Sequence, residues 1–79
     1  MVINPLHLDI MIRMMDPNLN APVQSSNYPS EPSFRIDAAI KQLYQMGYIT
    51  ARQSKVDSSW IAVSITPEGH TLLEEAGLV

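Results

Sequence analysis

Cysteine is absent from the 79 residues, which excludes a disulfide framework and a thiolate metal site and agrees with a reducing compartment. Charge is sparse, at 16% of residues, and no apolar run is long enough to span a bilayer. The opening MVINPLHLDIMIRMM is apolar, but it lacks a basic start and carries Asp9 and Arg13 inside the run. It is therefore not expected to act as a secretory signal, and the chain is expected to be soluble and cytoplasmic. Aromatics are few, at 6%, yet the hydrophobic fraction of 46% is that of a globular chain rather than a disordered one. The length allows one domain, 1–79, in a size range where a single core gives only ~3–5 kcal/mol and self-association would help.

Asn4 followed by Pro5 is a helix start, an N-cap side chain before a proline whose missing N–H costs nothing. This helix is expected to run to Met15 and stop at Asp16-Pro17. Leu8, Met11, Ile12 and Met15 form its apolar stripe, widened by Leu6, Ile10 and Met14 until only His7, Asp9 and Arg13 are polar. Such a helix is either a central core helix or one that also forms a homodimer contact, for which its methionines are suited. Residues 17–33, PNLNAPVQSSNYPSEPS, are proline-rich and polar. They read as a long ordered loop or a degenerate helix, with one short helical turn over 21–26 and with Leu19, Val23 and Tyr28 pinning the segment to the core.

Ser33 is expected to cap a second helix, Phe34 to Met46, with Ile36, Ile40 and Leu43 buried and Ala39 beside them. Gly47 ends it in the C′ position. Two alternating runs then follow, Tyr48 to Gln53 and Trp60 to Thr66, joined by the turn-like SKVDSS, and they read as a β-hairpin. Strict alternation puts Ile49, Ala51, Ile61, Val63 and Ile65 on the core face. It leaves Thr50, Arg52, Trp60, Ala62 and Ser64 outside, with Trp60 near Arg52. Thr66-Pro67 opens a last helix by the cap-plus-proline device. Gly69 lets that helix approach the sheet, Leu72, Leu73 and Ala76 turn inward, and Gly77 closes it.

The segments LYQMGYI at 43–49 and SITPEGHTLL at 64–73 resemble the signature of MarR- and PadR-type winged helix regulators, over residues 34–79. The start NPLHLDI is also similar to that of small phage and prophage proteins of this shape. The resemblance implies an α+β winged helix domain: helix, loop or short helix, recognition-type helix, two-stranded wing, C-terminal helix. It also implies a DNA-binding transcriptional regulator of phage or prophage type. Two features depart from the family pattern. Proline-rich sequence stands where the positioning helix should be, and long dimerising terminal helices are missing.

Charge is unevenly distributed along the chain. The total of −3 conceals a balance of +3 over residues 35–56, between acidic flanks. In the family's terms Arg35 and Lys41 lie on the recognition helix and Arg52 and Lys55 on the wing, where phosphate contacts to double-stranded DNA are expected. Gln42 and Gln45 are candidate adenine readers, although glutamine is also an ordinary soluble helix former. The alternative is a protein-protein interaction module, an adaptor or inhibitor of a host protein that does not bind DNA. In that case Trp60 would be a partner-binding anchor rather than a packing contact of Arg52.

Catalysis finds no pattern to rest on. His70 and Glu74 are four apart on a helix and pair readily, but two ligands do not complete a metal site. There is no phosphate loop, nucleophile elbow or paired catalytic carboxylate, so a non-enzyme without cofactor or metal is expected.

Overall fold

The computed structural model describes residues 4–15 and 23–77. Helix α1 is Pro5–Met15, α2 is Ser33–Gln45 and α3 is Pro67–Glu75; strands β1, Ile49–Gln53, and β2, Trp60–Ile65, lie between α2 and α3. The described residues therefore form a small α+β arrangement of three helices and an antiparallel hairpin. One apolar cluster draws on all of it: Ile10 and Met11 from α1, Val23 and Tyr28 from the connection, Ile36, Ala39, Ile40 and Leu43 from α2, Ile49 and Ala62 from the strands, and Leu73 from α3. No helix among the described residues is long and apolar enough to cross a membrane.

The start of α1 follows the Asn4-Pro5 expectation and goes one step further. Asn4 Oδ1 accepts the His7 backbone N–H at 3.0 Å, and His7 Nδ1 accepts the Asn4 N–H at 3.2 Å. This is a reciprocal capping box with histidine in the place usually held by glutamate or glutamine. The buried side of α1 differs from the expected stripe. His7, Ile10 and Met11 are buried, whereas Ile12 and Met15 are exposed and Leu8 is half-buried. Both sets satisfy helical spacing, and the His7 ring decides between them by bonding across to α2.

Val23 and Tyr28 pin the proline-rich connection as expected; Leu19 lies outside the described residues, as do 16–18 and 20–22. Val23 exchanges both backbone hydrogen bonds with Ala62, at 3.1 and 2.8 Å, which makes it a one-residue third strand beside β2. The short helical turn falls at Ser25–Asn27, later than 21–26. Tyr28 donates its hydroxyl to Asp9 Oδ2 at 2.7 Å, while the Arg13 guanidinium lies 4.6 Å from the ring centre. Burial, then the bond to Asp9 and its charge, push the Tyr28 phenol up to about 12, against a smaller opposing effect of Arg13.

Helix α2 starts at Ser33, with Pro32 in the cap position and no side-chain cap bond, so the expected Ser33 cap is not made. Its other end matches. Gly47 has φ +82°, the Gly47 N–H donates to Tyr44 O at 3.1 Å and the Tyr48 N–H to Leu43 O at 3.1 Å. These are the two bonds of a Schellman motif.

The strict alternation expected for the hairpin fails in its middle. Ile49 pairs with Ile65 and Thr50 with Ser64, but Ala51 pairs with Ala62, Arg52 with Ile61 and Gln53 with Trp60. Val63 is the extra residue of a β-bulge, which shifts everything before it by one. Ala62 consequently goes into the core and Val63 is half exposed. Trp60 leaves the Arg52 face and turns toward α2. The bulge is stabilised from the far side, because Ala62 is the residue bonded to Val23.

Thr66 and Gly69 join the hairpin to α3. The Thr66 hydroxyl accepts the Gly69 N–H at 3.1 Å and donates to Gly47 O at 2.6 Å, so one oxygen caps α3 and ties it to the end of α2. A Cβ on Gly69 would fall on the Tyr48 carbonyl oxygen. Glycine there is a close-packing requirement, as the sequence suggested.

Candidate functional site

The buried stripe of α2, Ile36, Ala39, Ile40 and Leu43, fixes what the helix presents outward. Phe34, Ala38, Lys41 and Gln45 follow at spacings of four, three and four, and all are exposed. Phe34 heads the stripe and is 75% exposed. On one flank Tyr44, also exposed, lies with its ring centre 5.8 Å from that of Trp60, the planes inclined by 35°. Asp37 Oδ1 accepts the Trp60 backbone N–H at 3.2 Å and holds the start of β2 beside the helix. Tyr44 and Trp60 thus form one aromatic pair between α2 and the hairpin, with Phe34 ten residues away, about 15 Å along the helix axis.

The expected site residues divide when placed on this frame. Lys41 and Gln45 are on the outer stripe. Gln42 is half-buried on the other flank, where its Oε1 accepts His7 Nε2–H at 2.8 Å. With Nδ1 accepting from Asn4, this fixes the tautomer and uses the glutamine as a bridge between α1 and α2. Arg35 is exposed but lies 3.5 Å from Glu31 Oε2, a surface pair of little energetic weight. Arg52 pairs with Ile61, and alternation along β1 sets it on the face opposite Ala51 and the core. Lys55 is exposed in the turn. The four cations thus occupy the helix start, the helix middle, the outer hairpin face and the turn.

The turn itself is rigidified by its own side chains. Asp57 Oδ1 accepts both the Ser59 N–H, at 3.1 Å, and the Ser59 hydroxyl, at 2.7 Å. Those bonds hold the Asp57 carboxyl below the usual carboxylate range. Gln53 Nε2 donates to Ser58 O at 2.9 Å, and Ser58 takes φ +62°. Val56 stands at the tip, 95% exposed.

Three features of this region carry no expectation from the sequence: the exposed Phe34, the Tyr44–Trp60 pair and the His7 bridge. A helical projection centred on Ile36, Ile40 and Leu43 would have turned Phe34 outward. Nothing in the sequence announced the His7 contact, which spans 35 positions. His70 Nδ1 lies 3.4 Å from Glu74 Oε1 on exposed α3. Among the described residues no three His, Cys, Asp or Glu side chains gather as metal ligands would. Comparison with protein-family models, curated proteins and solved structures gives no significant match.

Proposed function

We propose that the chain is a winged helix domain that serves as a protein-binding module, an adaptor or inhibitor, through the outer face of α2 and the adjoining Trp60. Support for the architecture is the order helix, single-residue strand at Val23, short turn, helix, hairpin, helix, with Gly47 and Thr66 in the positions that the MarR- and PadR-type resemblance assigns them. The observation that carries the partner class is Phe34, three-quarters exposed at the head of a stripe whose one cation is Lys41. Buried anchors at protein interfaces are enriched in aromatics and depleted in lysine and glutamate.

DNA binding is the second reading, favoured by Lys41 and Gln45 on the same outward stripe. Its electrostatics are weak. Strongly salt-dependent binders make about 6–10 phosphate contacts, whereas α2 and the hairpin offer four cations, one of them beside Glu31, in a chain of net charge −3. A homodimer through α1 belongs to the same proposal, since Ile12 and Met15 are exposed on that helix.

Two measurements decide between the readings. In gel shifts on random duplex at low salt, the module reading expects no retardation at tens of micromolar protein. Retardation with a salt slope of about two to three, reduced by about one in Arg52→Ala and again in Lys55→Ala, would transfer the function to DNA. Affinity capture followed by identification of the bound protein is expected to lose its partner in Phe34→Ala and keep it in Arg52→Ala. Because both positions are exposed, loss of fold would not explain the difference.

A further inference from the structure

A cleft lies between α3 and the Tyr48 link that leads into β1, away from the outer stripe of α2. Its volume is about 250 Å³ and it is lined by Tyr48, Glu68, Thr71, Leu72 and Glu75. Tyr48 and Leu72 are half-buried against the core, while Glu68, Thr71 and Glu75 are exposed. The volume is below the ~300–1,000 Å³ of pockets that take drug-sized ligands, so it suits one side chain. The close approach enforced by Gly69 brings Tyr48 and α3 together.

Two carboxylates stand over this apolar floor. Glu68 and Glu75 are seven residues apart, two turns of α3 or roughly 10 Å along the helix axis. Neither is in an ion pair among the described residues, whereas Glu74, which does not line the cleft, has His70. Thr71 uses its hydroxyl proton on Pro67 O at 3.0 Å, which leaves that oxygen's lone pairs free to accept. The cleft therefore presents acceptors and negative charge beside Tyr48 and Leu72, with no cationic side chain in its lining.

We infer that this cleft is a docking site for an arginine side chain of a partner peptide, with the guanidinium against the Tyr48 ring and between Glu68 and Glu75. Arginine fits better than lysine because a planar guanidinium stacks on an aromatic face and donates in a fork to carboxylates, whereas an ammonium is a compact, strongly hydrated charge. The aliphatic stem would cover Leu72. The site is independent of the α2 face and does not rest on its assignment.

The test is an NMR titration of the 79-residue chain with the capped tripeptide Gly-Arg-Gly, and with its citrulline analogue, which keeps the shape and removes the charge. Millimolar binding is expected, with shifts centred on the Leu72 methyls, the Tyr48 ring and the Thr71 amide. Glu68→Gln and Glu75→Gln are each expected to weaken it about twofold to fivefold, as for an exposed ion pair, and Glu74→Gln to leave it unchanged. Both cleft carboxylates are exposed, so the variants should melt like the parent. Absence of shifts at Leu72 and Tyr48, equal binding of the citrulline peptide, or indifference to both glutamine substitutions would each overturn the site. So would concentration-dependent shifts at the cleft without peptide that vanish in Lys55→Ala, since the occupant would then be the turn of a second copy.

Discussion

Gly69 is the third residue of α3, and helix propensity alone would have Gly69→Ala stabilise the protein by up to about 1 kcal/mol. The packing around it gives the opposite sign. A Cβ there would land on the Tyr48 carbonyl oxygen and lie 2.9 Å from Ile65 Cγ2. That carbonyl cannot swing aside, because it accepts the Thr66 N–H at 3.1 Å while the Tyr48 N–H closes the end of α2 on Leu43 O. Relief requires α3 to lift off the Tyr48 link, which strains the Thr66 bonds to Gly69 and Gly47. Overpacking typically costs ~1–3 kcal/mol, and a backbone obstacle belongs at or above the top of that range. Net of the propensity gain, a destabilisation of about 2 kcal/mol is expected. For a domain of this length that is a fall in Tm of about 8–16 °C. Urea and thermal denaturation followed by circular dichroism would measure it, with Gly47→Ala as control. Gly47 has φ +82° and open space where the Cβ would go, so its cost of about 1 kcal/mol is purely conformational. A Gly69→Ala protein as stable as the parent, or more so, would refute the close approach of α3.

Thr66→Val keeps the shape but loses both hydroxyl bonds, and is expected to cost about 1–2 kcal/mol in urea melts, whereas Thr66→Ser stays within about 0.5 kcal/mol of the parent. Gln42→Leu strands the buried His7 ring and His7→Phe strands the half-buried Gln42 amide, and they should cost about 1–3 and about 1 kcal/mol; a double mutant costing less than their sum would confirm the bridge, and strict additivity would deny it. Ser58→Gly relieves a left-handed serine in the turn and should raise stability by up to about 1 kcal/mol in the same assay. Folding favours the neutral Tyr28 phenol, raised from 10.0 to about 12, so its contribution is complete below pH 10.0 and is lost as the pH climbs through about 12. Urea midpoints taken across that window should fall less steeply in Tyr28→Phe than in the parent.

Element order was legible in the sequence because local chemistry announces helix ends without help from the rest of the fold. Asn4-Pro5, Gly47 and Thr66-Pro67 each act through backbone geometry within a few residues, and each occupies its expected place. The Ser33 cap failed because Pro32, extended at φ −61° and ψ 139°, takes the cap position one residue earlier. What alternation could not supply was the bulge at Val63. Its cause is tertiary: Ala62 is gripped from one side by β1 and from the other by Val23, a residue 39 positions away. An alternating pattern of Ile, Ala, Val and Ser is equally satisfied by either parity until that third contact chooses.

The functional surface was less legible for a related reason. Counting charge along the chain places Arg35, Lys41, Arg52 and Lys55 in one basic block, but a helix and a hairpin distribute consecutive residues over opposite faces. Two of the four lie on α2, and one of those, Arg35, is exposed beside Glu31. The bulge removes the link between Arg52 and Trp60 that alternation implied, and it gives the tryptophan to Tyr44 and α2 instead. The same one-residue shift leaves Arg52 on the outer hairpin face opposite Ile61 and sets Trp60 against Tyr44. Had Ala62 and Val63 kept the simple register, Trp60 and Arg52 would share the outer face and be placed to stack on one another. The register of β2, which no count along the chain contains, is what decides which side chains Trp60 meets.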